Sequence, residues 1–417
     1  MCGIVGRVGP EDGVDELLAG LSNLEYRGYD SAGVATVEDG RPVVRKREGR
    51  LSDLTAAMNG DLSGVVGIGH TRWSTHGPPS DANAHPHTDC SGEVAVVHNG
   101  IVRNYESLRE DLRARGHEFH SETDTEVIPH LIEVALAEGR DPAAALRWAV
   151  EKLEGSYAVA VVVAGEEAVY GTRQGLPLVV GVGDDRYYLA SDVPAFLEFT
   201  DRVIHLSDGE FVEVRSGGLR TTDADGDPVV PTVETVEWSA EDVGKGAYDH
   251  YMRKEIDEQP GALRQAVRGR VREDGSIDLD LPDETFAATR GIQFVGCGTS
   301  FHAARYATEL CLRRGIPAAA FLASEYVASP PPVPEGTLVV AVTQSGETAD
   351  TLSALRTVDE ARTLALTNHV NSTAARECDD VLPIHAGPEI GVAATKTFSS
   401  QVATDGLLLE RLAETHP

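Results

Sequence analysis

Met1-Cys2-Gly3-Ile4-Val5-Gly6-Arg7-Val8 opens the chain. Removal of one methionine leaves Cys2 with its own free α-amine, so a single residue holds both a nucleophile and a base. An α-amino group titrates at about 7.7–8.0, and a terminal amine beside a thiol is one way of activating a weak nucleophile. The run from Gly3 to Val8 reads as a buried strand that holds the terminus in place, against the alternative of an ordinary cysteine at a frayed end. Further short β-type runs lie at 65–69, 93–97, 157–163, 178–181, 187–190 and 210–214, with helical patterns at 12–24, 125–137 and 142–153. Strands in runs, with helices set apart from them, predict a layered α+β domain over residues 1–235.

Amide hydrolysis at Cys2 creates a tetrahedral oxyanion, which needs hydrogen-bond donors where the charge develops. Val96-Val97-His98-Asn99-Gly100 ends a predicted strand and offers an amide side chain beside an unhindered backbone N–H; the competing reading is a hairpin turn. On the loop His70-Thr71-Arg72-Trp73-Ser74-Thr75-His76-Gly77, Arg72 is suited to grip a carboxylate. An amino-acid ammonium then needs an acid, for which Asp124 in Ser121-Glu122-Thr123-Asp124-Thr125-Glu126 is the candidate. The same stretch also has the form of a helix N-terminus, with Thr123 or Asp124 as its cap. Histidines 70, 76, 85, 87 and 98 lack zinc-type spacing, so no metal is expected.

Together with Tyr26-Arg27-Gly28-Tyr29-Asp30-Ser31-Ala32-Gly33 and Ala84-His85-Pro86-His87, these motifs resemble the glutaminase domain of the glutamine:fructose-6-phosphate aminotransferase family. The resemblance implies an N-terminal-nucleophile αββα sandwich. It makes Cys2 the nucleophile, Asn99 and Gly100 the oxyanion hole, and Arg72, Thr75, His76 and Asp124 the glutamine-binding residues. Arg27 would support the site and Trp73 would gate a closed ammonia passage. Asparagine synthetases and amidophosphoribosyltransferases share the Cys-Gly-Ile start, but their ATP and phosphoribosyl-diphosphate loops are not found in this sequence.

A turn-rich stretch at 221–231 and a polar segment at 237–259 mark a linker at 236–260, after which the pattern changes. Short apolar strands at 292–296, 318–322, 338–342, 363–367 and 381–383 alternate with helices at 300–313, 348–357 and from about 397. Over residues 261–417 this predicts a doubly wound parallel sheet of the α/β class. Gly296-Cys297-Gly298-Thr299-Ser300 and Thr343-Gln344-Ser345-Gly346-Glu347-Thr348 both run from a strand end into a helix, where backbone N–H groups and the helix dipole favour a phosphate. Helix capping is the plainer alternative, and neither loop has a dinucleotide or Walker pattern.

With Glu389-Ile390-Gly391-Val392-Ala393-Ala394-Thr395-Lys396, these loops resemble the first sugar isomerase domain of the same family. By that resemblance Ser300, Thr343, Gln344, Ser345 and Thr348 hold the phosphate of fructose 6-phosphate, and Val392 and Ala394 line the sugar. The family continues into a second sugar isomerase domain that carries the isomerisation residues, whereas this sequence ends at Pro417. Lys396 is the one nearby basic residue, and it reads equally well as a surface charge.

Composition narrows the remaining choices. The chain has 417 residues, with 67 acidic against 36 basic side chains and a formal charge of −31. Such a surface repels nucleic acid and suits a salty cytoplasm that screens self-repulsion. Five scattered cysteines argue for a reducing compartment. The longest apolar run, 157–164, is far too short to span a membrane. The expected activity is glutamine hydrolysis at Cys2 with transfer of ammonia to fructose 6-phosphate, giving glucosamine 6-phosphate without a cofactor. The expected assembly is a homodimer or a complex with a complementing C-terminal partner. The alternatives are a free-standing glutaminase with a sugar-phosphate-sensing domain and a non-enzymatic sugar-phosphate regulator.

Overall fold

Strand Gly3–Val8 is buried along its length and pairs antiparallel on both sides, with Tyr187–Ala190 and with Val66–Arg72. These are three strands of an eight-stranded sheet, ordered Glu234–Thr235, Arg202–His205, Val179–Val182, Tyr187–Ala190, Gly3–Val8, Val66–Arg72, Ser31–Glu38 and Arg41–Glu48. A seven-stranded sheet runs Pro228–Val229, Gly218–Thr222, Phe211–Arg215, Ala168–Gln174, Gly155–Val163, Val94–Val102 and His87–Thr88. Alternation along Val94–Val102 shows why the layers form, since successive side chains in a strand point to opposite faces. Ala95 and Val97 join Ile4, Ile68 and Val212 in one core between the sheets. Val94, Val96 and Val102 join Ile128, Leu131 and Leu146 in a second core beneath helices Val127–Ala137 and Pro142–Val150. Helix Val14–Asn23 buries Leu17 and Leu21 on the other side. The result is the four-layer αββα sandwich.

The computed structural model describes residues 2–58, 60, 62–236, 239–272, 274–370 and 372–415. Within these limits the chain divides into two units, Met1–Ala240 and Glu241–Pro417. The second unit carries a five-stranded, wholly parallel sheet ordered Ala318–Leu322, Gly291–Gly296, Thr337–Thr343, Arg362–Thr367 and Asp380–Pro383. In chain order that is 2-1-3-4-5, a doubly wound arrangement whose order reverses between its first and third strands. No helix among the described residues is long and apolar enough to cross a membrane.

Three expectations need correcting. Asn99 and Gly100 do not form a turn, because the strand continues to Val102 and both pair with Gly155–Val163, Asn99 opposite Ala158 and Gly100 opposite Tyr157. Part of the expected connector is helix Tyr251–Val267, which packs on the terminal helix Lys396–Thr415. Its Glu255 is buried and its half-buried Glu258 pairs with Lys396, which is why the sequence reads as polar without being a loop. Lys396 is buried rather than a surface charge, and its Nζ lies 2.5 Å from Glu258 Oε2. The expected removal of Met1, and the connector's Glu237 and Trp238, lie outside the described residues.

Candidate active site

Cys2 immediately precedes strand Gly3–Val8 and faces the end of strand Val66–Arg72. The Trp73 N–H donates to Cys2 Sγ at 3.2 Å, and Trp73 O lies 3.4 Å from the same sulfur. Burial pushes the Cys2 thiol up, while the Trp73 N–H and the nearby Arg72 and Arg27 charges pull it down by less. A thiol held protonated in this way needs a base in contact with it, which is the task the sequence assigns to an α-amine.

The Asn99 side chain is aimed by what lies behind it. His70 Nε2 is 3.0 Å from Asn99 Oδ1 and 3.1 Å from His98 O. Both partners accept, so Nε2 carries the proton. Asn99 Oδ1 is thereby held at the histidine, and Nδ2 is turned to donate to Cys2 O at 3.0 Å. Burial keeps His70 neutral, with its pKa lowered to about 3, so this orientation persists across neutral pH. Gly100 has φ +133°, and a Cβ there would run into Ser156 O. Only glycine takes this φ with Ser156 O so close to the strand. Asn99→Ala should lower kcat for glutamate release by about 10²–10³-fold with little change in KM, as loss of one oxyanion donor does. Steady-state kinetics test this, and a loss below about tenfold would remove Asn99 from the oxyanion hole.

Arg72 is buried, and its Nη2 donates to His76 O and Gly77 O, which folds the loop around it. Arg72 Nη1 is buried without a hydrogen-bond partner among the described residues, as expected of a group waiting for a carboxylate. Asp124 Oδ2 accepts from Val102 N at 2.8 Å, and its Oδ1 lies 3.9 Å from His76 Nδ1. Asp124 caps no helix, since the following helix begins at Val127 with Glu126 at its cap position. Thr75 and Trp73 are exposed, and Trp73 stacks edge-on against Tyr29. Arg27 is ion-paired with Asp192 at 2.7 Å, in keeping with a supporting place. Sequence reasoning missed His70 as the group that orients Asn99, and Asp30, whose Oδ2 accepts from Ser74 N at 2.8 Å.

In the second unit Gly296 pairs with Val342, so both hydroxylated loops leave neighbouring strand ends at the point where the sheet order reverses. Ser300 Oγ accepts from Gln401 Nε2 at 2.9 Å, Thr343 Oγ1 from Gly346 N at 3.1 Å, and Ser345 Oγ from Glu347 N at 3.1 Å. Thr348 precedes helix Ala349–Leu355 and makes no side-chain capping bond. Gln344 Nε2 lies 3.5 Å from His369 Nε2. Gly346 has φ +68°, and a side chain there would strike Ser372. The 389–396 loop is held by Glu255, which accepts from Ile390 N and Gly391 N, and by Glu389, which accepts from Thr395 N and Lys396 N. Val392 is 87 % exposed and Ala394 half-buried, and among the described residues no hydrogen bond ties either to the two hydroxylated loops. Glu255 is a third residue that sequence reasoning missed.

Fold and site together define the class: an N-terminal-nucleophile glutamine amidotransferase unit on one chain with a sugar isomerase unit. Residues 70–198 match the glutamine amidotransferase domain family and residues 285–411 the SIS domain family. The chain is 51 % identical over 414 residues to a protein of Halobacterium salinarum named glutamine--fructose-6-phosphate aminotransferase (isomerizing), covering 98 % of this chain and 68 % of that protein. Proteins of the same name from Symbiobacterium thermophilum and Methanothermobacter thermautotrophicus are 50 % and 48 % identical, with 98 % of this chain covered in each case and 68 % and 69 % of the relative. This chain belongs to the glutamine--fructose-6-phosphate aminotransferase family.

Proposed function

We propose that the chain hydrolyses glutamine at Cys2 and delivers the ammonia to fructose 6-phosphate, giving glutamate and glucosamine 6-phosphate. The observation that carries this reading is the Asn99 amide, turned by His70 to donate beside Cys2 while buried Arg72 keeps an unpartnered guanidinium nitrogen. In the reaction the α-amine takes the thiol proton and sulfur attacks the side-chain carboxamide of glutamine. Asn99 Nδ2 and Gly100 N–H hold the resulting oxyanion. The amine returns the proton to the departing ammonia, leaving a thioester that water hydrolyses to glutamate. Arg72, Thr75, His76 and Asp124 bind the amino-acid end of glutamine, Arg27 supports the loop, and Trp73 gates the ammonia.

Ser300, Thr343, Gln344, Ser345 and Thr348 receive the sugar phosphate at the switch point of the parallel sheet, with Val392 and Ala394 beside the sugar. The first domain takes in 1–235, and the second takes in helix Tyr251–Val267 ahead of the rest of 261–417, so the linker narrows to the stretch before that helix. A salty cytoplasm suits the charge of −31, and the working assembly is a homodimer or a pair with a C-terminal partner. The test measures glutamate and glucosamine 6-phosphate separately, for the chain alone and with a polypeptide supplying a second sugar isomerase domain. Coupled formation of both products is expected in at least one of these. Glutamate without amino sugar in both would favour the free-standing glutaminase, which the named relatives do not favour.

A further inference from the structure

Outside the glutaminase site, four side chains from three parts of the first unit converge on one point. Cys90 lies in the turn between strands His87–Thr88 and Val94–Val102. His117 lies in the segment after helix Tyr105–Ala114, and His130 and Glu133 share one face of helix Val127–Ala137 at i, i+3. Their ligand atoms all lie within 4.8 Å of one another. His117 Nδ1 is 3.3 Å from His130 Nδ1, and Cys90 Sγ is 3.7 Å from each. Glu133 Oε2 is 2.9 Å from His117 Nδ1 and 3.5 Å from His130 Nδ1.

Four of these five separations lie close to the edges of a coordination tetrahedron, and the 2.9 Å pair is tighter. Zinc bonds of about 2.0–2.1 Å to nitrogen or oxygen and about 2.3 Å to sulfur place neighbouring ligand atoms about 3.3 Å apart, or about 3.6 Å where one is sulfur. The Glu118 N–H points at Cys90 Sγ at 3.5 Å, the kind of backbone donor that steadies a metal-bound thiolate. His130 turns Nδ1 into the cluster even though its Nε2 is left buried without a hydrogen-bond partner among the described residues, so the pull on Nδ1 comes from the cluster.

The geometry points to a structural divalent zinc site formed by Cys90 Sγ, His117 Nδ1, His130 Nδ1 and Glu133 Oε2. Four protein ligands close the shell and leave no open position, which makes the site structural rather than catalytic. A thiolate with two imidazoles selects zinc over the oxygen-seeking magnesium and calcium ions. The site would clip the segment that begins at His117 to the turn at Cys90 and to the helix. That same segment carries Asp124, seven positions further on, toward the glutamine site. The helix and sheet already hold His130 and Glu133, so the metal adds order mainly to the Cys90 turn and the His117 segment.

The test uses the full chain, stripped with chelator, reconstituted with zinc chloride and freed of excess metal by gel filtration. Metal analysis should find roughly one zinc per chain, falling below about a tenth in Cys90→Ser and in His117→Gln. Cobalt(II) in place of zinc should give the intense visible bands of a tetrahedral site and a sulfur-to-cobalt charge-transfer band that Cys90→Ser removes. His117 sits on a half-buried segment, so His117→Gln remains informative even if Cys90→Ser folds poorly. No retained zinc in the unsubstituted chain would overturn the proposal, as would undiminished zinc in the folded His117→Gln chain.

Discussion

Cys2→Ala should abolish glutamate release, by on the order of 10⁴-fold or more, while leaving the fold intact. Cys2 is half-buried just ahead of a fully buried strand, and its polar contacts are with the Trp73 backbone. Its removal therefore costs chemistry far more than packing, because the thioester forms on its sulfur. The thermal midpoint should stay within a few degrees of the parent, and stabilisation by fructose 6-phosphate should persist, since the hydroxylated loops belong to the other unit. Release of glutamate at the parental rate by Cys2→Ala would end the mechanism. The mass of the active polypeptide provides a second check, because fully active chain that retained its initiator would leave Cys2 without the amine that the buried thiol requires.

The sequence was most legible where local pattern and tertiary role coincide. The parallel strands of the second unit were placed within a residue or two, because strands buried on both faces read as apolar runs between turn residues. Hairpin Ser31–Glu38 and Arg41–Glu48 was missed because its second strand lies at the sheet edge, where Arg41, Arg45, Lys46 and Arg47 hide the alternation. Asp39 and Gly40 both have positive φ there, so an Asp-Gly turn was the available signal. Asn99-Gly100 shows the opposite case. The dipeptide tolerates a turn, but pairing with residues on both sides carries the strand straight through it. Cys90, His117 and His130 are 27 and 13 positions apart, so no short spacing rule joins them until the fold does.

Acid should unfold the first unit well before its carboxylates are exhausted. His70, His85 and His87 are buried together, with His70 stacked on His85 at 4.2 Å and His85 against His87 at 4.7 Å. Burial holds all three neutral, with His70 lowered to about 3 and the other two well below the usual range, and Arg72 adds repulsion. Unfolded histidine titrates near 6.5, so below that pH the unfolded chain binds protons that the folded chain refuses. The stabilisation is complete above about pH 6.5 and is lost as the pH falls. At pH 5 keeping His70 neutral costs about 2 kcal/mol, and His85 and His87 act in the same direction, against a typical domain stability of about 5–15 kcal/mol. Urea midpoints between pH 7.5 and 5 should therefore fall steeply, and His87→Gln, which can still bond to Thr123, should flatten the slope by about one proton. A midpoint constant over that range would refute the argument. Glutamine hydrolysis should fail over the same window, because His70 both contributes to this instability and keeps Asn99 facing Cys2.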